Sequence, residues 1–191
     1  MRRPTANVTR RERTALPTLG IAVPRGPVLL DTNVFINALA GRGPAVLRGL
    51  LEALPRLFVA APTRAELAWV RGRLDPDHPS TDRVLAIYET VLSRIDPAKV
   101  LVPADADWLA AGELAGHAAR AMAGGGRKIA TAFDRVELIS DALTAILARQ
   151  AGFTVVTEDR DFDVLAQLIP GLHVLFYDRQ GDGQSRRQQG F

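Results

Sequence analysis

The chain of 191 residues contains no cysteine, which excludes disulfide bonds, zinc sites built from thiolates and cysteine nucleophiles. Histidine is scarce as well, because only His78, His117 and His173 could supply an imidazole. They stand in unrelated sequence contexts, so we expect neither a histidine-based metal site nor a serine–histidine relay. Any metal chemistry must therefore use oxygen ligands, which favours Mg²⁺ or Mn²⁺ over Zn²⁺.

Long apolar runs are also missing. No stretch approaches the ~18 apolar residues of a membrane span, and Pro17 and Pro24 interrupt any signal-peptide core near the N-terminus. We therefore expect no membrane association and a cytoplasmic location. Hydrophobic residues make up 47% of the chain and charged residues 24%, which is ordinary for a globular protein. The length fits one domain with a sizeable core.

The formal net charge of +3 is unevenly distributed. Residues 1–26 hold six Arg and one Glu, residues 178–191 hold three Arg and two Asp, and residues 27–177 are left with a net −3. We expect a basic, disordered arm at 1–26 and a flexible tail at 178–191, flanking one domain at 27–177. A basic arm favours a polyanionic partner through counterion release, but it also fits a merely solvated terminus.

Short apolar runs alternate with helical patterns along the body of the chain. Five runs predict strands, at residues 28–31, 57–60, 100–102, 153–157 and 172–177. Helical patterns lie between them, at about 33–40, 44–54, from Pro62 onward, 81–95, 105–122, 134–150 and 161–168. Such alternation predicts an α/β fold with a mostly parallel, doubly wound sheet.

Four acidic residues follow strands or lie on helices that lead into them: Asp31, Glu66, Asp141 and Asp159. Each alone is typical of a helix cap or a solvated group. In an open parallel sheet, however, ligand sites lie outside the carboxyl ends of the strands. Clustered carboxylates repel one another and are costly unless a divalent cation neutralises them. The pattern thus indicates a Mg²⁺ or Mn²⁺ pocket suited to phosphate chemistry.

The helical stripe around Asp141 gives an ambiguous indication. Apolar positions such as Val136, Ile139 and Leu143 share one stripe, and Asp141 points roughly away from it. The pattern therefore predicts that Asp141 is not a core residue. It is either a solvent-facing acid or an acid that faces the cleft.

Four segments, in order along the chain, resemble those of the PIN-domain nucleases, especially the VapC-type toxins of type II toxin–antitoxin systems: Leu29–Asn33, Pro62–Leu67, Ser140–Ala145 and Val155–Phe162. The resemblance covers about 28–177. It implies a three-layer α/β/α fold and a Mg²⁺- or Mn²⁺-dependent endoribonuclease that leaves a 3′-hydroxyl and a 5′-phosphate. It also implies a homodimer and a cognate antitoxin that often inserts a basic side chain into the acid pocket.

The same resemblance implies roles for individual residues. Asp31, Glu66 and Asp141 would be catalytic, metal-binding acids, and Asp159 would complete the quartet, with Asp161 as its close competitor. The hydroxyls of Thr32 and Thr157 would have a supporting role and would order the pocket or its waters; alternatively, they only cap helices. Asn33 would help to hold the first turn of the helix that follows Asp31.

Basic and aromatic residues offer candidate contacts to RNA. Phosphate contacts position a substrate without reading its sequence, and the candidates for such contacts are Arg64, Arg71, Arg73, Arg127, Lys128 and Arg160. A role in surface solubility would explain most of these residues equally well. Trp69 and Trp108 could stack on bases, although Trp69 could equally belong to the core.

Four alternative interpretations of the sequence are considered. Haloacid-type phosphatases need a second Asp where this chain has Asn33, and Lys99 and Lys128 are its only lysines, which argues against a receiver domain. A non-catalytic PIN-like module that binds RNA or protein has no reason to keep four repelling acids. The Arg-rich arm and the long region at 71–128 depart from compact VapC toxins, and they fit a PIN nuclease with a non-toxin role in RNA processing.

Overall fold

The computed structural model describes residues 8–39, 43–53, 57–93, 95–124 and 131–177. In this part of the chain the central sheet has five strands, all parallel, in the order β3-β2-β1-β4-β5. The strands are β1 (Val28–Leu30), β2 (Leu57–Ala60), β3 (Val100–Leu101), β4 (Thr154–Thr157) and β5 (His173–Phe176). The predicted parallel sheet is confirmed, and no strand end differs from the predicted one by more than one residue.

Seven α-helices are described: α1 (Thr32–Leu39), α2 (Ala45–Ala53), α3 (Ala61–Arg73), α4 (Thr81–Ser93), α5 (Asp105–Gly124), α6 (Ala132–Ala151) and α7 (Asp161–Leu168). Pro62 lies in the first turn of α3, where a missing backbone N–H costs nothing. Thr131 and Asp134 form a reciprocal capping box at the start of α6. Within the described residues, no helix is both long and apolar enough to span a membrane.

Successive side chains along each strand point to opposite faces of the sheet, so the sheet divides the core into two halves. Leu29 and Val155 face the side covered by α5, α6 and α7, while Leu30 and Val156 face the side covered by α1 to α4. Both faces of the sheet are therefore buried, which is why the strands appear in the sequence as nearly continuous apolar runs. The three-layer α/β/α architecture is confirmed.

Strand order creates a crevice at the carboxyl edge of the sheet. Strand β1 pairs with β2 on one side and with β4 on the other. The helix after β1 packs on one face of the sheet, and the helix after β4 packs on the opposite face. The two chain segments separate at this switch point, which is where open α/β sheets bind their ligands.

Residues 8–26 do not behave as the disordered arm that the sequence predicts. Val8 and Leu16 are buried in the core half with α5 to α7, and Leu19 is buried in the other half. The amide of Leu19 also donates to the carbonyl of Phe176 at 2.7 Å, at the edge strand β5. Spaced apolar residues thus attach this segment to the domain. The predicted tail at 178–191 and residues 1–7 lie outside the described residues.

Gly152 ends α6 and leads the chain into β4, and it has φ = 70° in the left-handed region. Gly152→Ala should lower the free energy of unfolding by about 1 kcal/mol, because an added Cβ disfavours this conformation. Gly112→Ala is the matched control, since Gly112 lies inside α5 with nothing within 4 Å of an added Cβ. It should raise stability by about 0.5–1 kcal/mol. Urea unfolding measures the stability of both variants, and equal effects would contradict the left-handed conformation assigned to Gly152.

Candidate active site

Asp31 lies at the crevice between the carboxyl ends of β1 and β4 and is hydrogen-bonded to a residue of β4. It is the first residue after β1 and is 7% exposed. Its Oδ1 accepts a hydrogen bond from the backbone N–H of Thr32 at 2.7 Å, and its Oδ2 accepts one from the Thr157 hydroxyl at 2.7 Å. Thr157 is the last residue of β4 and is fully buried. Both oxygens of this carboxylate are therefore held in fixed positions.

Glu66 reaches the same place from α3. Its Oε2 accepts a hydrogen bond from the Thr32 hydroxyl at 2.5 Å, and its Oε1 accepts one from the Ser140 hydroxyl on α6. The sequence gives no role to Ser140. The available signal was its position directly before Asp141, which places it on the neighbouring face of the same helix.

A close group of acids, within the part of the chain that the structure describes, consists of Asp141, Asp159 and Asp161. One carboxylate oxygen from each lies within 4.8 Å of the other two. The Asp159 carboxylate accepts a hydrogen bond from the Asp161 amide at 2.8 Å, and the Thr157 hydroxyl accepts one from the Asp159 amide at 2.8 Å. The two candidates for the fourth acid thus lie in one cluster together. We call Asp141, Asp159 and Asp161 the acid cluster.

Asp141 is buried, at 9% exposure, so it does not face open solvent. Helix α6 packs against α3, α5 and α7, and it is therefore covered on more than the one side that its apolar stripe indicates. Its Oδ2 is buried and, among the described residues, has no hydrogen-bond partner. An unsatisfied buried carboxylate oxygen is costly, and a bound cation would satisfy it.

Burial and mutual repulsion perturb two of the acids. The pKa of Asp31 is raised to about 7, chiefly by burial. The charges of Asp159 and Glu66 contribute to this rise, and the hydrogen bond from Thr157 opposes it. Burial also raises the pKa of Asp141 well above its usual value, and the charges of Asp31 and of its other acidic neighbours add to that rise. One of those neighbours is Glu137, one turn earlier on α6 and absent from the sequence-based site.

The donor set fits a hard divalent cation. The oxygen donors that converge here belong to carboxylates and hydroxyls, and Mg²⁺ and Mn²⁺ prefer such oxygen ligands. Raised pKa values show that negative charge is disfavoured in the absence of a cation. The orphaned Oδ2 of Asp141 adds a geometric reason for a cation at this position.

The remaining sequence candidates are more dispersed. Asn33 is exposed, whereas Asn37, one turn later, is buried and donates to the Tyr177 hydroxyl at 3.1 Å. Sequence reasoning missed Asn37. Arg64 is exposed, and half-buried Arg160 donates to a backbone carbonyl at 2.5 Å. Two further candidates, Arg127 and Lys128, lie outside the described residues.

Comparison with known proteins agrees with this architecture. The PIN-domain family model matches residues 28–168. VapBC2 from Rickettsia felis bound to a promoter DNA fragment is similar, with 20% identity, 79% of this chain and 98% of that chain covered, and a TM-score of 0.53. DNA-bound VapBC from Salmonella typhimurium gives 21% identity, 78% and 97% coverage and a TM-score of 0.52. At these identities the likeness shows the fold. No curated protein sequence matches the chain.

The raised pKa of Asp31 predicts a pH-dependent stability for the metal-free protein. An aspartate that titrates near 3.8 when unfolded and about 7 when folded binds more protons in the folded state between these values. Stability should therefore fall as the pH rises through that window. Asp31→Asn should remove part of this fall and melt about 3 °C or more above the wild type at pH 8, as measured by circular dichroism in EDTA.

The control for this experiment is Asp77→Asn, which changes an exposed loop acid and should leave the pH profile unchanged. A wild-type melting temperature that stays level between pH 4 and pH 8 would show that the acids do not repel one another as the geometry indicates.

Proposed function

Because the chain belongs to the PIN-domain family, we propose that it is a Mg²⁺- or Mn²⁺-dependent endoribonuclease, and that it serves as the toxin of a toxin–antitoxin pair. The observation that carries the catalytic proposal is the convergence of acids from three elements at one crevice. They are buried Asp31 directly after β1, buried Asp141 on α6 and half-buried Asp159 in the β4–α7 connection. The orphaned Oδ2 of Asp141 adds a position suited to a cation.

The proposed ligands are the acids Asp31, Asp141, Asp159 and Asp161, with Glu66 beside them. A divalent cation supplies an activated water and stabilises the negative charge that builds on a phosphodiester during attack. The neighbouring hydroxyl side chains hold the acidic ligands in fixed orientations. Thr157 fixes the orientation of the Asp31 carboxylate, and Thr32 and Ser140 fix that of Glu66. Hydrogen bonds of this kind orient acidic ligands and limit their motion.

Single-stranded RNA is the proposed substrate because the surface near Glu66 suits bases and phosphates. Trp69 follows Glu66 by one turn of α3, is 51% exposed, and lies 6.2 Å from the ring of exposed Phe133, centroid to centroid. The Arg73 guanidinium lies 5.1 Å from the Trp69 ring centroid. Exposed aromatic rings beside arginine are typical of surfaces that stack unpaired bases. Arg64, exposed on the same helix, adds a candidate phosphate contact.

The toxin role rests on the order of the four motifs and is supported by the nature of the similar solved structures, which are VapBC complexes. It carries three further proposals: a cognate antitoxin as partner, a homodimer, and a cytoplasmic location where RNA and antitoxin are both available. A PIN nuclease with an RNA-processing role, and a PIN-like module that binds RNA or protein without cutting, are the alternatives that the tests separate.

Purified protein should cleave RNA with Mg²⁺ or Mn²⁺ and should lose this activity in EDTA. Asp31→Asn and Asp141→Asn should each abolish cleavage, because each removes a negative oxygen ligand from the proposed site. Thr157→Val should lower the rate by about 10- to 100-fold, since it only releases the orientation of Asp31. Gel analysis of a labelled single-stranded RNA, with product ends assigned, measures all three.

Asp77→Asn, on an exposed loop, is the matched control and should cleave at the wild-type rate. Wild-type rates in both Asp31→Asn and Asp141→Asn would refute the site assignment. RNA binding without cleavage in any metal would favour the non-catalytic module.

Expression of the chain alone should arrest bacterial growth, and expression of the Asp141→Asn variant should not. The expected reason is loss of RNA cleavage without loss of the fold. Growth curves after induction, with western blots to equalise protein levels, provide the measurement. Unimpaired growth together with active cleavage in vitro would favour the RNA-processing role.

A further inference from the structure

Two consecutive arginines near the N-terminus contact two acids on the first turn of α7. The Arg10 guanidinium forms an ion pair with Asp161. The neighbouring Arg11 binds Asp163 through its side chain, with Nε to Oδ1 at 2.7 Å, and through its backbone N–H, to Oδ2 at 2.7 Å. Asp161 and Asp163 are 4% and 0% exposed. Residues about 150 positions apart in the sequence therefore form two buried or half-buried ion pairs side by side.

The segment that carries these arginines is anchored at several other points. The side chain of Val8 is buried in the core, the Gln167 amide donates to the Thr9 carbonyl at 2.9 Å, and Arg160 donates to the Arg11 carbonyl at 2.5 Å. Arg10 itself is less than one-third exposed. Its position is thus defined by packing on both sides rather than by one surface contact.

The two pairs differ in one respect. Asp161 belongs to the acid cluster with Asp141 and Asp159, whereas Asp163 is not a member of that cluster. Arg10 therefore places a positive charge beside a carboxylate of the acid cluster, where the divalent cation is proposed to bind. Arg11 places its positive charge beside Asp163, a carboxylate outside the acid cluster.

We propose that Arg10 is the protein's own counter-cation for the acid cluster, holding Asp161 in the metal-free state and competing with a divalent cation for that carboxylate. This inference rests on the proposed function, because it requires a metal at the cluster. It goes further by assigning a positioning role to a residue of the N-terminal segment, which sets how tightly the site binds its cation.

A coupling of this kind is reciprocal. If Arg10 weakens the binding of the metal, then the metal must weaken the hold of Asp161 on Arg10 by the same factor. Removing the guanidinium takes one positive charge away from buried Asp161, which destabilises the metal-free protein and makes the entry of a divalent cation more favourable.

The test measures Mn²⁺ affinity of the full chain by electron paramagnetic resonance. Arg10→Met should bind Mn²⁺ about tenfold or more tightly than the wild type, within the usual range of coupling between two sites. Arg10→Lys keeps the charge and should stay close to the wild type. The melting temperature in EDTA should fall in Arg10→Met, and saturating Mn²⁺ should raise it by more than it raises that of the wild type.

Arg11→Met is the matched control. It breaks the neighbouring ion pair and should lower the melting temperature in EDTA, but it should leave the Mn²⁺ affinity at the wild-type value. Equal affinities in the wild type and Arg10→Met would overturn the inference while leaving the proposed function intact. Absence of Mn²⁺ binding in every variant would instead overturn the proposed function.

A second measurement applies to the wild type and does not depend on the folding of any variant. Hydrogen exchange at the backbone amides of residues 8–13 should become faster when Mn²⁺ is added, because the cation weakens the contact between Arg10 and Asp161. Unchanged or slower exchange in this segment, with Mn²⁺ bound, would overturn the inference.

Discussion

Repulsion among carboxylates in one small volume is the constraint on which the rest of this structure depends. Asp31 and Asp141 are both buried, and the charges of Asp159 and Glu66 act on each of them. Such a group of acids is unfavourable on its own. In this protein the hydroxyls of Thr32 and Thr157 fix carboxylate oxygens by hydrogen bonds, and the Arg10 guanidinium forms an ion pair with Asp161. The hydroxyls control orientation, the guanidinium reduces net charge, and a divalent cation would complete the neutralisation.

The fold makes this crowding possible because each acid of the quartet lies on, or within two residues of, a different strand or helix. The chain reverses its direction of strand addition between β1 and β4, and this opens the crevice that Asp31 and Asp159 enter from adjacent strands. Helices α3 and α6 then bring Glu66 and Asp141 to it, joined by the hydrogen bond between Ser140 and Glu66. Sites supported by strands and helices hold their geometry more precisely than sites on loops.

Local sequence signals predicted most of the fold. The buried strands could be predicted from short apolar runs in the sequence. The start of α3 and the end of α6 could be predicted from Pro62 and Gly152, because the preferences of proline and glycine for helix ends depend on the backbone alone. Asp31 could be placed because it directly follows an apolar strand, and ligand sites of open parallel sheets lie outside the carboxyl ends of the strands. These inferences concern residues close together in sequence, where periodicity carries the information.

Long-range contacts were beyond the reach of the same signals. The apolar stripe of α6 describes one face, so it could not reveal that α3 and α7 also cover the helix and bury Asp141. The pairing of Arg10 with Asp161 joins distant parts of the chain, and composition alone suggested a detached basic arm. Charge counts record how many arginines a segment holds, but they do not record which buried carboxylates those arginines neutralise.

The most direct measurement is an anomalous diffraction map of crystals soaked in Mn²⁺. The account predicts a peak in the crevice between β1 and β4, about 2.0–2.3 Å from oxygens of Asp141 and of at least one of Asp31 and Asp159. A map with no peak among these acids, or with their side chains directed to separate faces of the molecule, would contradict it.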